Sequence, residues 1–250
     1  MPMLEVKGLV KRFGGNVAVD HACFTVEEKG VTCLIGPNGS GKTTIFNLLT
    51  NMLPADEGSA LYRGGELIGK SASAVVKRGV VRTFQDLKLF GEFTVLQNVL
   101  IAIRGRYGES VWQGLRYSPG AAGAKADAGQ AMEALRVVGL EAQAGQQVRS
   151  LPYGEQKLVS LARLYAAKAD LLLLDEPASG MDREGYRLLD GVIARLLDMG
   201  KTILLVEHNM EFVQAVARKV VFLHRGQVLA QGTMEEIRSD KQLTEIYFGY

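Results

Sequence analysis

The 250-residue chain holds little of what builds covalent or metal-based architecture. It has two cysteines, Cys23 and Cys33, neither in a CxxC pair, so a disulfide framework is excluded. Cys33 lies in an apolar run and reads as a small buried hydrophobe. The three histidines, His21, His208 and His224, are far apart in sequence and outline no metal cage. No stretch approaches the roughly 18 apolar residues that span a bilayer. Glu5 and Lys7 interrupt the N-terminal segment where a signal peptide needs an unbroken apolar core, so a cytoplasmic start is expected. Charge is also scarce in aggregate, since 29 basic against 27 acidic residues leave a net of +2. A dedicated nucleic-acid binder carries a stronger basic excess or a basic stripe. Here the densest basic groups are Lys11-Arg12 and Lys77-Arg78.

What remains is an ordinary globular composition, 47% hydrophobic and 22% charged, which excludes a disordered chain. A chain of this length buries about three quarters of its unfolded surface and needs no staples. Runs at Leu4–Val6, Val17–Val26 and Ser59–Tyr62, broken by glycine turns, predict an antiparallel sheet near the N-terminus. From Val31 the texture changes to short apolar strands at 31–35, 80–84, 171–174, 202–206 and 220–223, alternating with helical patterns. One such helix is predicted over 183–199, with Leu188, Leu189, Val192, Ile193 and Leu196 on its apolar stripe. Strands buried on both faces between helices predict a mostly parallel sheet. From about Leu87 to Ala167 the pattern is helical, and the small-residue stretch around 117–129 is expected to be a mobile loop. The fold class is therefore α/β: a mostly parallel core, an N-terminal antiparallel β subdomain and an inserted helical subdomain. The expected division is one module over 1–250, with 1–86 and 168–250 forming the α/β lobe and 87–167 the helical lobe.

Gly36-Pro37-Asn38-Gly39-Ser40-Gly41-Lys42-Thr43 fits G-x-x-x-x-G-K-[ST], between a predicted strand and a predicted helix. Glycines let successive backbone N–H groups surround one phosphate, and the helix N-terminus offers positive charge to the same anion. Lys42 can reach the β- and γ-phosphates, and Thr43, followed by Thr44, can hold Mg²⁺. The reading is a nucleoside triphosphate with Mg²⁺. The apolar strand LLLLD ends in Asp175 at the carboxyl edge of the sheet, where it suits the metal. Glu176 is placed to take a proton from, or orient, an attacking water. The plainer alternative is that this acidic pair caps the segment ahead of Pro177.

Taken with further segments in the same order, these residues resemble the ATP-binding cassette ATPases of membrane transporters, and the likeness covers nearly the whole chain. Phe13 resembles the aromatic that stacks on adenine, with ordinary packing as its alternative. Gln85 resembles the glutamine of the Q-loop, another metal contact, and could otherwise be a surface loop residue. LPYGEQKLVSLAR at 151–163 is similar to the signature segment, in which Tyr153, Gly154 and Glu155 would meet ATP held by an opposing subunit. Asp182 of SGMD is similar to the D-loop aspartate. His208 of VEHNM resembles the switch histidine, and could otherwise be a helix-capping or core residue. Pro152 departs from the usual signature, because it has neither a hydroxyl nor an N–H to donate.

The Tyr-Gly pair, the VVRTFQDLKLF segment and the C-terminal tail are similar to the ATPases of branched-chain amino acid importers. Tails of that kind also occur in urea-importer and lipopolysaccharide-exporter ATPases. The resemblance implies ATP hydrolysis powering solute import, with Glu176, His208 and Gln85 catalytic. It implies membrane-spanning permeases as partners, a second copy or a paralogous ATPase, and indirectly a solute-binding protein, with no nucleic acid expected. The implied location is the cytoplasmic face of the membrane, as a peripheral subunit. Leu87, Leu89, Phe90 and Phe93 are the expected dock for the permeases, or else the core of the helical lobe. The alternative from another class is a soluble cassette ATPase acting on nucleic acid or ribosomes.

Overall fold

The structure, a computed structural model, describes residues 2–83, 87–103 and 122–248, with side chains of 122–124 and 248 left aside. The chain begins with two long strands, β1 (Pro2–Phe13) and β2 (Asn16–Glu27), joined by the Gly14-Gly15 turn, and then β3 (Val31–Ile35). Next come α1 (Lys42–Leu49), β4 (Glu57–Tyr62), β5 (Gly65–Glu66), α2 (Ala72–Arg78) and β6 (Val80–Arg82). Helices α3 (Val95–Leu100), α4 (Ala122–Val138) and α5 (Tyr153–Ala166) precede β7 (Leu171–Asp175), α6 (Arg183–Asp198) and β8 (Thr202–Val206). The chain continues through α7 (Met210–Val216), β9 (Lys219–His224), β10 (Gln227–Gly232), α8 (Met234–Ser239) and α9 (Lys241–Phe248).

Two sheets form. One is antiparallel, in the order β2-β1-β4-β5. The other has the order β10-β9-β3-β8-β7-β6 and is parallel except for β10. Its strands β3, β7 and β8 are buried at every position, as their mostly apolar sequences favour, with Thr32, Asp175 and Thr202 the polar residues among them. The register pairs Leu34 with Val206 and Asp175 with Val206, so the segments following β3, β7 and β8 leave from one carboxyl edge. Helix α1 buries Ile45, Phe46, Leu48 and Leu49 in a core shared with Leu34, Leu173, Leu204 and Val221. That packing holds the first turn of α1 at the same edge.

Contacts divide the chain into two compact units, one of Met1–Arg82, Asp170–Glu176 and Leu197–Tyr250, the other of Thr83–Ala169 and Pro177–Leu196. Both sheets belong to the first. The second is helical. Its α5 buries Leu158, Val159, Leu161 and Ala162. Within 177–196, α6 buries Leu189, Val192, Ile193 and Leu196, spaced as one helix face demands. Leu188, expected on that stripe, is instead 46% exposed, because it falls to the side of the arc the other four share.

A second correction concerns the small-residue stretch, where α4 begins at Ala122, inside the expected loop. Alanine has the highest intrinsic helix preference, and that outweighs how little such residues bury. The part of that loop before residue 122 lies outside the described residues.

Candidate functional site

The G-x-x-x-x-G-K-T segment lies between β3 and α1, at the carboxyl edge of the parallel sheet. Gly41 caps α1 with φ +104, and a Cβ there would lie 2.5 Å from the Ala18 carbonyl oxygen, so both backbone and space require glycine. The Ser40 N–H donates to the Pro37 carbonyl, and the Gly226 N–H donates to the Ser40 carbonyl, fixing the loop from both sides. Lys42 is buried, and its Nζ donates to the carbonyls of Gly36 at 2.8 Å and Pro37 at 2.9 Å and to Ser40 Oγ at 3.3 Å. Burial lowers the Lys42 pKa, while the carboxylates of Glu176 and Asp175 pull it the other way. A polyanion placed here would favour the charged ammonium further.

The loop opens on a cavity of about 420 Å³ lined by Asn38, Gly39, Ser40, Gly41, Lys42, Thr43 and Thr44, together with Glu176 and His208. Glu176 has φ +47, a left-handed backbone that costs about 1–2 kcal/mol outside glycine, and its N–H donates to the Val206 carbonyl. His208 Nε2 lies 2.9 Å from Glu176 Oε1; since a carboxylate only accepts, the imidazole donates. The cap of α7 is Asn209, whose Oδ1 accepts from the Phe212 N–H, so His208 is neither a helix cap nor a core residue.

Asp175 ends β7 and is almost fully buried. Its Oδ2 accepts from Arg82 Nη2 at 2.6 Å, in a pair whose side chains are 6% and 3% exposed. Arg82 also donates to Asn47 Oδ1 and lies over the Phe46 ring, 5.2 Å from its centroid. Phe13, 47% exposed, pairs with Asn16 across the β1–β2 turn, and Asn16, Val17 and Ala18 continue the cavity wall. Core packing is thereby excluded for Phe13, although Lys11 Nζ stands 5.6 Å from its ring centroid. Gln85 lies outside the described residues.

Tyr153, Gly154 and Glu155 open α5 in the helical unit, with Pro152 in the cap position and no side-chain cap bond. Asp182 Oδ1 accepts from the Gly185 N–H at 2.8 Å, which makes it the N-terminal cap of α6. Phe90 and Phe93 stack with centroids 5.3 Å apart and remain 49% and 43% exposed.

The cavity fits a nucleoside triphosphate: glycine-lined backbone, one buried cation and a helix N-terminus converge on it. The Thr43 hydroxyl on the cavity wall and the Asp175 carboxylate at the end of β7 are oxygen donors, the kind a hard divalent cation takes. Two residues escaped the sequence reading. Arg82 shows only as an isolated cation within an apolar strand, and that oddity was the signal available. Arg225, in the β9–β10 turn, reaches the cavity wall with no sequence signal at all.

Against known proteins, the ABC transporter family model matches residues 19–179. The chain is 37% identical to the high-affinity branched-chain amino acid transport ATP-binding protein LivG of Salmonella typhimurium, covering 99% of this chain and 98% of that one. The protein BraF of Pseudomonas aeruginosa, which carries the same description, is also 37% identical, with the same coverage. Among solved structures, a nucleotide-free ATP-binding cassette from an ABC transporter superposes with a TM-score of 0.86 at 29% identity, over 100% of both chains. The ADP conformation of the cassette MJ1267 superposes with a TM-score of 0.86 at 30% identity, again over both whole chains. By sequence across its full length and by fold, the chain belongs to the ABC transporter family, as one of its ATPase cassettes.

Proposed function

We infer that this chain hydrolyses ATP to drive import of branched-chain amino acids through partner permeases. The observation that carries the ATPase reading is one cavity on which Lys42, Glu176 and His208 converge, with His208 bonded to Glu176. The full-length likeness to LivG and BraF supports the solute class.

In this reading the N–H groups of 38–43 and the start of α1 hold the phosphates, and Lys42 leaves its own loop carbonyls to reach them. Phe13 stacks on the adenine. Mg²⁺ held by Thr43, Asp175 and Gln85 would neutralise phosphate charge. Glu176 orients the attacking water and accepts its proton. His208 holds the Glu176 carboxylate before ATP arrives and turns to the γ-phosphate afterwards. Gly154, with Tyr153 and Glu155, meets the ATP of a second cassette, either another copy or a paralogue, in a head-to-tail pair. Asp182 belongs to the same pairing surface. The whole of 1–250 then acts as one module on the cytoplasmic face of the membrane. Among the described residues no helix is long and apolar enough to cross a bilayer, so permeases supply the path, and a solute-binding protein delivers the cargo to them.

The test is ATP turnover by the protein reconstituted with its membrane subunits. Glu176→Gln should retain ATP affinity while lowering turnover by about a hundredfold or more, the usual scale for losing a positioned general base. Equal turnover in the two proteins would overturn the assignment.

A further inference from the structure

The signature segment departs from the usual family pattern at Pro152, and Tyr153, the residue after it, has a partner within the same unit. Tyr153 is the first residue of α5, and Lys157 lies four residues on, over the same helix face. The Lys157 ammonium stands 5.3 Å from the Tyr153 ring centroid, where a cation is attracted to the aromatic face. Its Nζ also donates to the carbonyl oxygen of Ser179 at 2.5 Å. Lys157 is only 7% exposed, so a charge that would prefer water is spent on these contacts. The ring meets the same turn. Gly180 has φ +74, and a Cβ built there would lie 3.2 Å from Tyr153 Cε1. One aromatic edge against one glycine, and one buried ammonium on one carbonyl, join residues 153–157 to residues 179–180.

We propose that Tyr153 and Lys157 are positioning residues that brace the turn at 179–180 against the start of α5, so that Gly154 and Asp182 face a partner cassette as one rigid surface. Two segments that must be ordered together cost conformational entropy at the moment of pairing. A brace formed before pairing removes part of that cost. It also accounts for the residue types. A small residue at 153 would leave the turn without the ring, and an apolar one at 157 would leave the Ser179 carbonyl without the ammonium. The pairing consequence rests on the head-to-tail reading above, whereas the brace itself does not.

The experiment uses the full chain in two parts. Amide hydrogen exchange on the nucleotide-free protein reads the brace directly. Tyr153→Ser and Lys157→Met should each speed exchange at 178–182 by tenfold or more, while Tyr153→Phe, which keeps the ring, stays within twofold of the parent. Analytical ultracentrifugation in the Glu176→Gln background with ATP then reads pairing. There Tyr153→Ser and Lys157→Met should weaken the dimer at least tenfold, with Tyr153→Phe close to the parent. Unchanged exchange at 178–182 in Tyr153→Ser, or Tyr153→Phe loosening the turn as much as Ser does, would overturn the brace. Faster exchange with an unaltered dimer constant would overturn its role in pairing. A parent that stays monomeric with ATP would count against the head-to-tail reading instead, and the exchange result would still decide the brace.

Discussion

At the residue scale, Arg82 explains how a buried carboxylate at the end of β7 is tolerated. Asp175 is 5% exposed, and an unpaired charge there would cost several kcal/mol. The guanidinium compensates it and is itself shared with Asn47 and Phe46 of α1. Arg82→Met should therefore destabilise the protein by about 3–5 kcal/mol, the range for breaking one side of a buried pair. Urea unfolding would measure the loss, and Mg²⁺ with ATP should recover more stability in the variant than in the parent. An unchanged midpoint would mean the pair is not holding Asp175. The sequence conceals this because the partners are 93 positions apart and meet only through the parallel register of β6 with β7. The phosphate loop is legible for the opposite reason. Its donors are contiguous, so residue types in order already describe its backbone. Glu176 and His208 lie between these cases, since each follows an apolar strand by a fixed step, and strands of one parallel sheet bring such ends together.

At the element scale, Asp182 shows how one side chain can satisfy two demands. Its family position suggests a pairing residue, and its hydrogen bond makes it the cap of α6. The demands separate by substitution. Asp182→Asn retains a capping oxygen and should leave stability within a few tenths of a kcal/mol. Asp182→Ala should cost about 1 kcal/mol. Thermal unfolding of the two variants gives the comparison, and equal melting temperatures would remove the cap from the account. The apolar strands follow from their runs, and the α6 stripe follows from helical periodicity except at Leu188. The Gly/Ala stretch does not, since burial argues for a loop and propensity for a helix, and propensity prevails from Ala122. Strand β10 is harder still, alternating between exposed and half-buried residues without a strong apolar side.

On the scale of the whole molecule, the proposed import function requires a surface on which the cassette meets permeases, since no helix among the described residues is long and apolar enough to cross a bilayer. The stacked Phe90-Phe93 pair is an exposed aromatic surface of the helical unit, and each such ring offers about 150–250 Å² for burial. The sequence leaves this cluster undecided between core and dock, because composition is the same for both. Exposure of 49% and 43% favours the dock. Asn98 explains why the rings stay outside: its buried side chain accepts from the Phe90 N–H and donates to the Phe90 and Thr94 carbonyls, tying the backbone down while the rings point away. Replacing both phenylalanines with serine should thus leave the fold and the isolated protein's ATP affinity intact, since every described residue that lines the cavity belongs to the other unit. Capture of permeases from native membranes by the tagged double variant should fall about thirtyfold, the loss of about 2 kcal/mol expected from removing an aromatic anchor. Undiminished capture would shift the docking surface elsewhere and leave the ATPase assignment standing.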